Sequence, residues 1–503
     1  MADFTIVGAG SAGCVLAARL AASGAEVLLL EAGGPDTNPN IHAPAGVVAL
    51  WGSEDDYAYV TEPQKHCDDR RIPWPRGKVL GGSGSFNGMI YVRGVAEDYD
   101  AWEAQGAAGW GWQDVLPYFK KSEDFSRGES DEHAVGGPLH VMADFEPHPL
   151  NAAFLDAAAE VGIEPNDDHN VGSQEGVGLT HLNIVEGTRM HTVRSHLRPA
   201  MAAHSNLTVK THAPVVGLRF DGTTCTGVTY IHHGQTLTET SGEVVLAGGA
   251  IESPKLLMLS GVGPSDHLRS FGIDVVADLA GVGQNLHDHP LQPLIFTATR
   301  EIPPPLDGLH FLHTHLFAKS RPELDRCDTQ PLFFHVPTYE PWMEGPPNGF
   351  TIMSGLIRPT SRGHLALAST DPSAAPLLDP NYLATSEDVD ALLFSYEQCE
   401  AIGRAPALAE EWGAKPIFPD ENVTDRDNKV AWIRKTVGTY HHMVGTCRMG
   451  VDEGAVVDPL LRVRGVDGLR VVDASIMPEI TSGNTNAPTI MIAERAADLV
   501  LDG

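Results

Sequence analysis

The chain is poor in positive charge, in paired cysteines and in long apolar runs. Lysine and arginine number 34 against 66 aspartates and glutamates, giving a formal charge of −32 over 503 residues. A field of that sign repels nucleic acid and anionic membrane and favours solubility, so neither is expected as a partner. The six cysteines (Cys14, Cys67, Cys225, Cys327, Cys399 and Cys447) are scattered with no C-x-x-C pair, which points to reduced thiols and a cytoplasmic location. No apolar run is long enough to span a bilayer. No basic segment precedes an apolar core at the start, so no secretory leader is expected. Internal repeats and low-complexity tracts are also missing. With 42% hydrophobic and 20% charged residues, the composition is that of an ordinary globular protein. Its length exceeds one nucleotide-binding module, so two or more domains are expected.

The first 34 residues carry the densest signal. Phe4-Thr5-Ile6-Val7 reads as a strand, followed by Gly8-Ala9-Gly10-Ser11-Ala12-Gly13, a G-x-G-x-x-G turn. Leu16, Ala18, Arg19, Leu20 and Ala21 favour a helix. Ser23-Gly24 breaks it, and Val27 to Leu30 forms a second strand ending at Glu31. In such a βαβ unit the glycines let a pyrophosphate approach backbone N–H groups at a helix N-terminus, where the helix dipole favours negative charge. The acidic residue at the second strand end accepts hydrogen bonds from a ribose. The start of the chain is therefore expected to hold the ADP half of a dinucleotide.

Residues 35 to 75 are rich in Pro, Gly, Asp and Asn, a pattern more often functional cover than linker in a compact domain. They lead into a second glycine-rich stretch, Gly77-Lys78-Val79-Leu80-Gly81-Gly82-Ser83-Gly84-Ser85-Phe86-Asn87-Gly88-Met89-Ile90. Its glycines and serines offer free backbone donors close to a ligand, and its apolar residues anchor it in a core.

From Gly77 to Asp100 this stretch closely resembles the first signature of the glucose–methanol–choline (GMC) flavoprotein oxidoreductases. A second signature resembles Gly249 to Gly263. His442-Met443-Val444-Gly445-Thr446-Cys447-Arg448-Met449-Gly450 and Ser482-Gly483-Asn484-Thr485-Asn486-Ala487-Pro488 look like the two active-site segments of that family. The resemblance runs from Phe4 to Leu501 and is strongest to the bacterial choline-dehydrogenase-like, alcohol-oxidising branch.

The resemblance implies FAD. It places Gly8, Gly10 and Gly13 at the pyrophosphate and Glu31 at the adenosine ribose. Val79 and the backbone of Asn87, Gly88, Met89 and Ile90 line the flavin side, and Val215, in an apolar strand expected over Leu207 to Val216, meets adenine. Ser11, Ala12, Ala32, Gly82, Asp473, Ala474, Asn484 and Thr485 complete the cofactor contacts. Asp473 follows the expected strand Leu469 to Val472; its plainer alternative is a helix N-cap. Phe86 stands where some choline oxidases carry a histidine bonded to the flavin. Phenylalanine cannot form that bond, so noncovalent FAD is expected.

The fold class implied is α/β, α+β overall. A Rossmann-type FAD domain with a doubly wound sheet (residues 1–150, 190–290 and 436–503) is expected beside a smaller substrate domain on an antiparallel sheet flanked by helices (151–189 and 291–435). Within the latter, β-forming runs at Leu332 to Val336, Phe350 to Met353 and His364 to Ala368 alternate with Pro-rich turns. The segment Ile302 to Lys319, with Pro303 to Pro305 and His310, His313 and His315, is expected to be a mobile lid.

Oxidising an alcohol removes a proton from oxygen and a hydride from carbon. His442 is the expected base and Asn484 the group that holds the substrate oxygen, while His441 is the rival base or a pocket wall. Met443 stands where a proline is common in the family. His287-Asp288-His289 is read as a structural segment and no metal is expected, since a metal site needs several converging ligands. His232 and His233 are expected to be solvated. No acidic residue lies between His289 and Thr299, where Leu291 and Thr297 align near the carboxylate of a choline oxidase. That favours a neutral primary alcohol, aryl, furanic or pyridine-based, oxidised with dioxygen. The alternatives are a dehydrogenase with a quinone or other acceptor, a lyase or light-driven decarboxylase on the same scaffold, and an NAD-dependent dehydrogenase.

Overall fold

The computed structural model describes residues 1–502. Strand Ala2–Val7 lies between Val27–Leu30 and Gln235–Leu246 and runs parallel to both. Leu207–Lys210 extends the sheet beyond Val27–Leu30, again parallel. The end of Gln235–Leu246 takes Leu469–Val471 as a further parallel partner, while its start pairs antiparallel with Thr224–His232. All four residues of Val27–Leu30 are buried, the pattern of a parallel strand covered on both faces. Helix Ser11–Ala22 packs on helix Asn486–Leu501, so the first and last helices close one face of the sheet together.

The single strand expected from Leu207 to Val216 is two strands, Leu207–Lys210 and Val215–Asp221. His212 sits at φ +50° between them, and Pro214 lacks the N–H a ladder needs. The chain turns there, and Val215–Asp221 pairs antiparallel with Thr224–His232 instead.

A second sheet is antiparallel, in the order Lys415–Phe418, Pro290–Thr297, Gly349–Gly355, Leu332–Phe334, Leu312–Phe317, Gly176–Leu179. Helix Ser386–Gly403 covers it, packing on Gly349–Gly355 and Pro290–Thr297. His364–Ala366 lies outside this sheet and pairs only with Leu377–Asp379. The short strand Gly438–Thr439 pairs with the start of Pro290–Thr297. The chain then passes through Tyr440 and bends at His441, at φ +68°, to reach His442.

Of the expected lid from Ile302 to Lys319, residues 302–311 form no helix or strand and Leu312–Phe317 is a strand. Leu312–Phe317 is buried at every position and flanked on both sides. His310, His313 and His315 are no more than 1% exposed. Backbone N–H groups partner one nitrogen of two of these imidazoles: Leu312 N donates to His310 Nδ1 and His148 N to His313 Nδ1, while Nε2 of each is buried without a partner among the described residues. The three histidines therefore belong to a buried strand and its approach, and only the part of the segment before His310 is exposed.

Candidate active site

One cavity of about 1360 Å³ runs between the two sheets. Its inner end is built on the first turn. Gly8 has φ +100°, and a Cβ there would lie 2.6 Å from the Ala247 carbonyl oxygen. A Cβ on Gly82, at φ +53°, would lie 2.8 Å from Gly10 Cα, and Gly81 N donates to Ala9 O at 2.7 Å. The two glycine-rich turns are thus laid on each other, and both face the cavity. Helix Ser11–Ala22 begins there with no side-chain cap and no acid in its first turn, which leaves its N-terminal donors and dipole for an anion.

Glu31 is buried, and its two oxygens accept from Ala9 N and Gly33 N, each at 2.8 Å. Burial pushes its carboxyl up to about 7 while the backbone donors oppose that. Each oxygen keeps a second lone pair for a ribose hydroxyl. Asp473 accepts from Gly249 N at 2.8 Å, Ser253 Oγ at 2.6 Å and Ser475 N at 2.8 Å. It caps the turn Ala474–Ile476 and also lines the cavity.

Of the other expected cofactor residues, Gly8, Gly10, Ser11, Ala12, Ala32, Gly82, Asn87, Gly88, Ile90, Val215, Ala474, Asn484 and Thr485 line the cavity. Gly13, Val79 and Met89 are set behind that lining. A Cβ on Gly13 would lie 1.9 Å from the Gly8 carbonyl oxygen, so this glycine lets the helix close on the strand. Val79 packs with Ile41, Leu50 and Phe86, and Met89 is buried at φ +58°.

At the outer end the structure brings His442 and Asn484 together. Asn484 Nδ2 lies 3.3 Å from His442 Nε2. Asn484 Oδ1 accepts from Gln330 Nε2 at 3.2 Å, which orients the carboxamide with its NH2 toward the imidazole. On its other side His442 Nδ1 lies 2.9 Å from His289 Nδ1. The hydrogen-bond network therefore assigns the proton of His442 to Nδ1 and leaves the Nε2 lone pair facing the cavity. Burial, then His289, His441 and Arg76, hold the imidazole well below its ordinary value of 6.5, so it is neutral.

Asp288 fixes the backbone beneath it. Its Oδ1 accepts from His442 N at 2.7 Å, and its Oδ2 accepts from the hydroxyls of Tyr382 and Thr439. Burial raises Asp288 to about 6 against these donors. Asp288 and His289, expected as part of a structural segment, are the residues that hold the backbone and ring of His442. The cluster His287-Asp288-His289 was the visible signal, but nothing in its spacing shows that it meets a loop 153 residues away.

His441 lies at φ +68° with its ring 5.2 Å from that of Trp51, and its carbonyl accepts from Arg76 Nη2 at 2.5 Å. It lines the cavity beside Trp51. Leu291, Phe311, Leu312, Phe334 and Met353 supply further apolar wall. Among the described residues, no group of three or more His, Cys, Asp or Glu is placed to hold a metal ion, and no helix is long and apolar enough to cross a membrane. All six cysteines are free and buried.

A family profile described as GMC oxidoreductase matches residues 2–291, and a second of the same description matches residues 359–493. The chain is 42% identical to an alcohol dehydrogenase [acceptor] of Pseudomonas putida, across 100% of this chain and 96% of the relative. It is 40% identical to the mitochondrial choline dehydrogenase of Homo sapiens, across 99% and 89%. Among solved structures, pyridoxine 4-oxidase from Mesorbium loti superposes with a TM-score of 0.96 at 33% identity, with both chains fully covered.

Proposed function

Since this chain belongs to the GMC oxidoreductase family, we propose that it oxidises a small primary alcohol to the aldehyde with His442 as base. FAD is the cofactor of the family, and when bound it supplies the two-electron hydride acceptor. The residues present fit it. The Gly8 and Gly82 turns form a cradle that a Cβ would fill, the helix behind them offers uncapped donors, and Glu31 and Asp473 line the same cavity. Phe86, at the cavity wall, has no nucleophile, so the cofactor is held noncovalently.

The observation that carries this reading is the Nε2 lone pair of a neutral His442 beside Asn484 Nδ2, in the cavity that also holds the nucleotide cradle. In this reading the substrate hydroxyl replaces the direct 3.3 Å contact between these two groups and engages both. His442 Nε2 accepts its proton and Asn484 Nδ2 donates to its oxygen, which keeps the carbinol C–H in one orientation. The burial that keeps His442 neutral also weakens it as a base. Two neighbours hold it in place: His289 Nδ1 accepts from the imidazole and Asp288 Oδ1 accepts from His442 N.

Aryl, furanic and pyridine-type alcohols suit that wall, and the likeness to pyridoxine 4-oxidase supports a pyridine ring and dioxygen as the second substrate, giving hydrogen peroxide. Two observations favour a second reading. The 42% relative is a dehydrogenase [acceptor] and another relative is a choline dehydrogenase. In addition Glu340, after strand Leu332–Phe334, lines the cavity and supplies a carboxylate that strand Pro290–Thr297 lacks. That reading is a dehydrogenase for a cationic or aliphatic alcohol with a quinone or other acceptor. The two sheets divide the work, with residues 1–150, 190–290 and 436–503 as the cofactor domain and 151–189 and 291–435 as the substrate domain.

Anaerobic mixing of the yellow holoenzyme with pyridine, benzyl and furfuryl alcohols and with choline tests the proposal. Bleaching by a neutral aryl alcohol, reversed by air with stoichiometric peroxide, is expected. Bleaching by choline alone, or no recovery in air, selects the second reading, and a colourless protein overturns both.

A further inference from the structure

Asn484 is the third residue of a loop whose backbone is held from outside. Ser482 N donates to Asp98 Oδ2 and Ser482 Oγ to Asp98 Oδ1, both at 2.8 Å. Ser482 O accepts from Gln174 Nε2 at 2.7 Å. Every polar group of Ser482 is therefore fixed, two residues before the carboxamide that faces His442. The link between them has little slack: Gly483 lies at φ +146°, and a Cβ there would meet Val92 Cγ1 at 2.5 Å.

Asp98 belongs to helix Ala96–Ala104, and one of its contacts serves that helix, accepting from Val95 N at 3.0 Å. The others reach away from it. Arg326, from the segment between strands Leu312–Phe317 and Leu332–Phe334, places its Nε 3.3 Å from Asp98 Oδ1 and its Nη2 3.6 Å from Glu479 Oε2. Asp98 and Arg326 are both buried, so neither charge is screened by water. Space is reserved for this carboxylate: Gly94 has φ +79°, and a Cβ there would lie 2.6 Å from Asp98 Oδ2.

We propose that Asp98 is a positioning residue for the alcohol oxidation, acting through Ser482 to hold the Asn484 carboxamide beside His442. Asp98 touches neither substrate nor cofactor in this role. It accepts from three donors, and only an ionised carboxylate presents acceptors to all of them. An asparagine of the same shape turns an N–H toward Ser482 or Val95 and leaves Arg326 with only the more distant Glu479 as a carboxylate partner. The Ser482 backbone then shifts, and Asn484 with it. Gln174 and Arg326 come from the side of the substrate sheet, so the loop is clamped between both halves of the molecule.

This inference rests on the proposed role of Asn484, and a double-mutant cycle separates the two. The rate of anaerobic flavin reduction by the best alcohol is measured in wild type, Asp98→Asn, Asn484→Ala and the double variant, each at full flavin occupancy. Asp98→Asn alone is expected to slow reduction ~10- to 100-fold, the scale of a small misplacement of a positioned group. In the Asn484→Ala background the same change is expected to alter the rate less than ~2-fold, because coupled residues are not additive. An equal loss in both backgrounds overturns the positioning role and leaves Asn484 in place. A wild-type rate for Asn484→Ala overturns the reading of Asn484 and this inference together. Ser482→Ala removes one hydrogen bond and no buried charge. It repeats the cycle with a smaller, equally coupled loss, and decides the matter if Asp98→Asn fails to bind flavin. An additive Ser482→Ala effect counts against the proposal.

Discussion

His289 and His442 meet through their Nδ1 atoms at 2.9 Å with their rings perpendicular, at 89°. Only one of the two nitrogens carries a hydrogen. Because Asn484 already points an NH2 at His442 Nε2, that hydrogen belongs to His442 and the acceptor is His289. His289 thus selects the tautomer in which the base has its lone pair on the substrate side.

Replacing His289 by alanine removes the acceptor and frees the imidazole of His442 to turn. Flavin reduction is expected to fall ~10- to 100-fold as a positioned base is lost, with flavin still bound. Stopped-flow absorbance under nitrogen reads both, and an unchanged rate would remove His289 from the site.

His442→Ala takes away the proton acceptor itself. A loss of at least ~100-fold in flavin reduction is expected, the low end for general acid–base catalysis. His441→Ala, at the cavity wall, is expected to change the apparent substrate affinity more than the limiting rate. The reverse pattern exchanges the two assignments.

Asp288 is raised to about 6 by burial, whereas His442 is held well below 6.5. Activity is expected to climb as pH rises through about 6 and then level off, as the carboxylate under His442 ionises. Asp288→Asn is expected to abolish that limb in the pH dependence of the reduction rate. A limb that persists in this variant assigns the titration to another group.

Stability carries the opposite signature from a protein rich in salt bridges to histidine. Burial holds His289 and His310 at about 3, His169, His181 and His313 at about 4, and His335 at about 2, all from an ordinary 6.5. Between those values and 6.5 the unfolded chain binds protons that the folded chain does not. Their contribution is complete above 6.5 and is lost as pH falls from there toward the folded values. Glu31 and Asp288, raised to about 7 and about 6, act in the other sense, losing stability as pH rises through those values, but they are outnumbered. The thermal midpoint is expected to drop between about pH 7 and about pH 5. A midpoint that holds or rises on acidification refutes the neutral histidine core.

Phe86 offers no atom for a covalent bond to the cofactor. Acid precipitation is expected to give a colourless pellet and a yellow supernatant. Colour retained in the pellet would show a covalent link.

Local sequence was enough for the inner end of the cavity. Gly8 to Glu31 is contiguous, and its turn, helix and strand are set by residues that are neighbours in the chain. His442 and Asn484 were readable because each lies in a recognisable segment. What could not be read was pairing over distance. Asp288 and His289 meet His442 across more than 150 residues, and neither hydropathy nor spacing records such a contact. The same limit placed His313 and His315 in the expected lid: they look polar in the chain, but a backbone donor at one and a buried strand at both make them core. Pro214 was the overlooked sign that the strand after Leu207 must end.

The central sheet joins strand Ala2–Val7 to Gln235–Leu246, and that strand to Leu469–Val471. During synthesis the first strand can find its neighbour once the middle of the chain emerges, but the far side of that neighbour waits for the last segment. At about 5–20 residues per second the wait is roughly 10–45 s. Through it the nascent chain carries an unpaired parallel edge, a template for wrong pairing. Yield in a cell thus depends on how fast ribosomes cross the region between the two strands and on what shields the edge meanwhile.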